Sequence, residues 1–135
     1  MKVLSIKEPF ASLISKNIKH IETRSWKTNY RGELYIHASL TKNDTSKRKE
    51  LLELTKDIDL KPGYILCKCD LIDCIYMDED FVKNIKNNKI ESICGRYEIR
   101  RYAWILDNIQ IIKPILAKGK LGIWNYSSEE NYNKK

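Results

Sequence analysis

Apolar positions along the chain fall into short stretches of two periods, separated by polar runs. Residues 2–6, KVLSI, read as a first strand, and Phe10, Leu13 and Ile14 follow at the i, i+3, i+4 spacing of one helical face. Pro9 stands where a first helical turn accepts it, and Asn17 supplies a left-handed stop, so the pattern predicts a helix of about eight residues. A second strand is predicted over 18–24, with Glu22 and Arg24 on one face and Ile21 and Thr23 on the other. NYRG marks a turn. ELYIHAS then alternates, Leu34, Ile36 and Ala38 pointing one way and Glu33, Tyr35 and His37 the other.

Asp44, Thr45 or Ser46 is expected to cap a helix carrying Leu51, Leu52 and Ile58. Residues 64–77 form an extended β-pattern long enough to need a bend or bulge. Asp78 is placed to cap a short helix with Phe81, Val82 and Ile85, while 86–100 show no sustained period and read as a mobile excursion. YAWILDNIQIIKPIL reads as a long strand broken at Asp107-Asn108, and GIWNY as the closing strand. Five to seven strands with two or three helices, in no regular βαβ order, predict an α+β fold around a small curled or closed sheet. The 135 residues suit one domain over 1–126, with 127–135 a polar, frayed tail.

Composition narrows the class. At 42% hydrophobic and 32% charged, the chain is a folder rather than a disordered segment. No apolar run reaches the length of a membrane span and the first ten residues lack a signal-peptide core, so no membrane partner and a cytoplasmic address are expected. Cys67, Cys69, Cys74 and Cys94 are then expected as reduced thiols. Cys67 and Cys69 share a strand face and read as small buried hydrophobes. Their C-x-C-x4-C run lacks the second pair of a zinc site, so neither metal nor cofactor is expected.

Charge adds a partner class. The net charge of +7 concentrates in residues 1–35, with seven Lys/Arg against three acids, and in residues 96–120, with six against two. Two basic segments that a fold can bring together point to a polyanion, most simply nucleic acid. Glycine-rich phosphate loops and nucleophile elbows are absent from the sequence. Asp70 and Asp73 fall on opposite strand faces and make no carboxylate pair.

The densest chemistry lies in residues 17–32, NIKHIETRSWKTNYRG. Arg24 can fork onto a phosphate or onto Glu22. Glu22 can orient the neighbouring bases or accept hydrogen bonds from a nucleobase edge. Lys19 can touch phosphate or, if desolvated, donate a proton. Trp26 and Tyr30 offer faces for a splayed base, with Tyr35 and Trp104 as further candidates, although Trp104 and Trp124 sit in apolar runs and read as core. Lys27, Arg31 and His37 would edge such a site, and Arg96, Arg100 and Arg101 would follow a nucleic-acid backbone. An equally open reading makes Glu22 and Arg24 a structural pair holding a cleft wall.

Lys19, Glu22 and Arg24 form a K-x-x-E-x-R motif behind SIKEPFASLI and before RSWKTNYRGELYIHAS, GYILCKCDLIDC and GIWNY. Over residues 2–126 this order resembles the ASCH domain family of the PUA-like superfold, and within it the subgroup of the ASCH domain of activating signal cointegrator 1. The family motif opens with glycine, and Asn17 stands there, a residue that tolerates the same positive φ. The resemblance implies a PUA-like mixed β-barrel flanked by helices, a cleft beside the motif, and recognition of RNA, another nucleic acid or a modified nucleoside. Similar domains include ribonucleases, DNA binders and an N4-acetylcytidine amidohydrolase. That last branch uses the motif lysine, a threonine where this chain has Glu22, and a glutamate from elsewhere, for which Glu91 or Glu98 is available. The leading expectation is an RNA-interacting module. One alternative is a nucleoside- or RNA-directed hydrolase in which Lys19 and Glu22 would be catalytic. Another is a coactivator-type protein-interaction module, which requires an exposed apolar patch. Oligomeric state is left open.

Overall fold

Six strands pair into one mixed sheet in the computed structural model, which describes residues 1–42 and 48–128. They are β1 (Lys2–Glu8), β2 (Ile21–Arg24), β3 (Gly32–Lys42), β4 (Tyr64–Tyr76), β5 (Tyr102–Leu116) and β6 (Ile123–Asn125), in the order β2-β5-β4-β3-β1-β6. β1 runs parallel to β3, and the other pairings are antiparallel. Four helices accompany the sheet: α1 (Phe10–Ser15), α2 (Lys49–Thr55), α3 (Glu79–Ile85) and α4 (Lys89–Ile93).

Length forces the long strands to bend. The β4–β5 ladder shifts register three times, and Asn108 adopts φ 52 within an unbroken β5. The break expected at Asp107-Asn108 is therefore a bulge, which adds twist without ending the strand. The sheet curls until its β2 edge faces β1: Arg24 Nη2 donates to the Ser5 carbonyl at 2.8 Å. Backbone pairing does not join β2 to β1 among the described residues. The result is a half-barrel whose seam is spanned by a side chain.

Leu34, Ile36 and Ala38 on one face of β3 are buried, as their alternation requires. They pack with Leu4, Ile6 and Trp104 from the sheet and with Ala11 and Ile14 of α1. Val3, Ile65 and Trp124 make a second cluster, and Leu13, Leu51 and Cys94 a third.

α1 is shorter than expected, at six residues, because Pro9 stands at its N-cap and Lys16 at its C-cap, and its first turn is held from outside. The buried Glu8 carboxylate accepts from Ser12 N at 2.8 Å, Ser12 Oγ at 2.6 Å and Lys61 N at 3.3 Å. Asn17 then takes φ 62 and donates to the Ile14 carbonyl, while Ile18 N donates to Leu13 O and its side chain packs on Leu13. These are the paired bonds and apolar contact of a Schellman stop. The stop uses up residues 17–20, so β2 begins at Ile21 rather than at 18.

Helix count also departs from the two or three expected. Residues 86–100, read as a mobile excursion, contain α4, capped by Asn88 and fastened by the buried Glu91 rather than by an apolar stripe. Asp78 caps α3 as expected, accepting from Phe81 N at 2.8 Å. α2 is preceded by Arg48, which makes no side-chain cap; the expected caps Asp44, Thr45 and Ser46 lie outside the described residues, as do residues 129–135. Among the described residues, no helix is long and apolar enough to cross a membrane.

Candidate functional site

The Asn17 stop turns the chain so that Lys19 points inward and β2 runs along the seam. Lys19 is 1% exposed. Its Nζ donates to the carbonyls of Ile21 and, at 2.7 Å, Cys94, and lies 3.8 Å from Glu22 Oε1. Glu91 answers from the other side: its Oε2 accepts from His20 N at 2.7 Å and its Oε1 from Ile21 N at 3.3 Å. Residues 19–21 and 91–94 are thus cross-fastened, lysine to carbonyl one way and glutamate to amide the other.

Glu22, also buried, stands between this clamp and the seam. Its Oε2 is 3.0 Å from Arg24 Nε, yet that buried Nε makes no hydrogen bond of acceptable geometry. The contact is ionic rather than directed, which leaves the guanidinium held chiefly through its bond to Ser5 O.

Outside the pair opens a cleft of about 840 Å³ between β2, the ends of β1 and β3, and the loops around residues 94–96 and 117–122. Lys7, Arg24, Arg48, Arg96, Arg101, Lys118 and Lys120 stand on its walls, and Glu22 is the one acid among the described residues that line it. The cations crowd one another. Burial, followed by the charge of Arg96, pulls the Arg101 guanidinium below its usual value, and Arg101 is held by the carbonyls of Arg96 and Thr23 at 3.1 and 3.3 Å. A bound anion would relieve that crowding.

Trp26 sits on the cleft wall, 38% exposed, with its ring edge-on to Trp104 at 4.7 Å between centroids. Trp104 is fully buried and donates Nε1–H to Trp26 O at 3.3 Å, so it braces the exposed ring instead of meeting a ligand. His37 borders the cleft but is 1% exposed. Its Nε2 lies 2.7 Å from the Ala117 carbonyl and must donate; its Nδ1 lies 3.0 Å from Ser5 Oγ, from which a neutral ring accepts. Ser5 Oγ in turn accepts from Trp124 Nε1 at 3.1 Å.

Of the residues singled out from the sequence, Glu22, Arg24, Trp26, His37, Arg96 and Arg101 converge on the cleft. Lys19 lies behind its wall. Lys27, Tyr30, Arg31 and Arg100 do not line it: Arg31 pairs with Asp73 at 3.6 Å, and Tyr30 donates to the Glu33 carbonyl. Glu91 is spent on backbone amides, and Glu98 pairs with Arg96 at 2.8 Å on the surface. Lys7, Arg48, Lys118 and Lys120 are the cleft cations that sequence reasoning did not name. Lys118 and Lys120 flank Gly119 in the second basic segment, and that spacing was their one visible signal.

Cys67, Cys69 and Cys94 are buried, and burial raises all three thiols, Cys67 to about 12. They fill core space, as expected for the first two. A broad trough lined by cations, with one buried carboxylate and an aromatic on its wall, suits a flexible polyanion better than a small neutral substrate.

Residues 4–129 match the model of the ASCH domain. The chain is 38% identical over 136 aligned positions to activating signal cointegrator 1 of Mus musculus, which covers 93% of this chain and 22% of that protein. It is 40% identical over 81 residues to activating signal cointegrator 1 of Homo sapiens, covering 53% of this chain and 14% of that protein. The chain therefore spans about a fifth or less of the length of these relatives. Among solved structures, ASCH from Zymomonas mobilis superposes with a TM-score of 0.62 at 15% identity, over 98% of this chain and 92% of the other. A point mutant of that protein gives 0.59 at 13% identity, over 98% and 94%. At such identities the likeness is one of fold.

Proposed function

The chain belongs to the ASCH domain family, with the PUA-like fold of its structural neighbours, and from that premise we propose that its basic cleft binds RNA, with single-stranded segments as the preferred form. One observation carries the reading: among the described residues, seven Lys/Arg against one acid line a single cleft. Phosphates would lie along Arg24, Arg96, Arg101 and Lys118, and a splayed base would meet Trp26 on the wall. Leu40 and Leu121, exposed on the same rim, offer apolar surface for a neighbouring base. A cleft of about 840 Å³ admits a few nucleotides of a flexible strand, whereas a duplex would touch only its mouth.

The hydrolase alternative draws less support. It needs Lys19 to reach a substrate, and Lys19 Nζ already serves two carbonyls and lies beside Glu22. Fluorescence anisotropy with a labelled single-stranded RNA, titrated across salt, tests the binding reading. Four phosphate contacts predict a log–log slope of about −3, at roughly 0.7 per contact on single strands. Absent or salt-independent binding overturns it.

A further inference from the structure

Loop 117–122, which follows β5, reaches the cleft, and among the described residues its one backbone bond to a neighbouring segment runs from Ala117 N to Gly63 O. What holds it in place is a chain of side-chain hydrogen bonds through four parts of the fold. Trp124 of β6 donates to Ser5 of β1, Ser5 Oγ shares a hydrogen bond with His37 Nδ1 of β3, and His37 Nε2 donates to the Ala117 carbonyl. The His37 ring also lies edge-on to Trp124, with centroids 5.7 Å apart. Gly119 then passes directly over the pair: a Cβ there would come within 2.9 Å of both His37 Cε1 and Ser5 Oγ. Neither neighbour yields cheaply, because the ring is bonded on both sides and the hydroxyl takes part in two bonds.

We propose that loop 117–122 is a phosphate-gripping wall of the cleft and that His37 is its positioning residue, with Gly119 the contact that lets it seat. This deepens the nucleic-acid reading and rests on it. His37 touches no ligand; it fixes where Lys118 and Lys120 stand among the cleft cations, which include Arg24 and Arg101. Lys120 is steadied further by the Trp124 ring, with Nζ 5.8 Å from its centroid. The ligand class is a phosphodiester strand, gripped by the cleft arginines together with the lysines of this loop.

Gly119→Ala is the decisive variant, since it keeps every charge and changes only the seat of an exposed loop. Its expected effect is about tenfold weaker binding of single-stranded RNA, with a salt slope smaller by about 1.4, the share of two contacts. Lys118→Ala/Lys120→Ala should give the same slope change. Binding by Gly119→Ala with wild-type affinity and slope overturns the inference while leaving the nucleic-acid reading standing. A ligand-free readout separates the two further. Long-range nitrogen–proton spectra of the histidine rings should place the His37 proton on Nε2, protected from exchange, in the wild type, and that protection should be lost in Gly119→Ala. If the wild type binds no nucleic acid, the binding reading falls, and with it the phosphate role. An unchanged His37 signal in Gly119→Ala sinks the latch itself.

Discussion

Lys19 and Arg24 bracket the same carboxylate, Glu22, and meet opposite fates. The lysine is 1% exposed and saturated by two carbonyls behind the cleft wall. The arginine keeps 23% of its side chain exposed, spans the β1–β2 seam to Ser5 and stands on the cleft. A compact ammonium with three donors fits a pocket of carbonyls, whereas a planar fork can fasten a seam and still present a face to an anion. One short motif therefore contains both a fastener of the fold and a piece of the cleft wall, and Glu22 couples them.

The hardest blow to this contrast comes from Lys19→Met. Removing a buried cation leaves two carbonyls without a donor and Glu22 with Arg24 alone, and should lower stability by about 3 kcal/mol in urea unfolding. Whatever fraction folds should bind RNA with near-normal affinity; a stable variant that loses binding would place Lys19 on the ligand instead. Arg24→Gln should show the reverse profile. Affinity is expected to fall roughly tenfold to a hundredfold, with about 1 kcal/mol lost from the seam. Arg24→Lys refines the point, restoring charge but not the fork. A smaller effect is expected for Trp26→Ala, about 1 kcal/mol of affinity for single strands, the low end of base stacking. An unchanged affinity would remove the aromatic from the proposed site.

Smallest of all is the behaviour of the thiols. Iodoacetamide near neutral pH should mark Cys74 first and leave Cys67, Cys69 and Cys94 unmodified in the folded protein, read by peptide mass. Burial raises the Cys67 thiol from 9.0 to about 12, so the folded state holds that proton more tightly than the unfolded chain. Its contribution is complete below about pH 9 and fades as pH climbs toward 12. Cys67→Ala should therefore show a shallower loss of stability with rising pH across that window.

Period and punctuation made most of the fold readable. The β3 alternation, the Asp78 cap and the Asn17 stop each follow from local physics, and each is present in the structure. The α4 region was illegible because its anchor is polar and distant: Glu91 reaches back seventy-one positions to His20. A buried carboxylate leaves no periodic trace. The site was half legible. Alternation put Glu22 and Arg24 on one strand face, but nothing local announces that a lysine three residues before that acid will turn inward. His37 looked like a rim residue because its strand parity faces away from Leu34 and Ile36. The cover over that face comes from Trp124 and loop 117–122, eighty or more positions later.

Gly119 differs from Gly122 in a way that bears on how the sequence can drift. Gly122 takes φ 64 with nothing near its missing side chain, so the backbone itself demands glycine. The backbone at Gly119 makes no such demand; the room a side chain needs is taken up by the His37 imidazole and the Ser5 hydroxyl beneath it. Positions 37 and 119 then share a fixed volume. A methyl group at 119 meets both the ring and the Ser5 hydroxyl while histidine stays at 37, and the hydroxyl alone once a smaller residue replaces it, so the two substitutions should be non-additive. Neutral change at either site would be gated by the other, although eighty-two residues separate them along the chain.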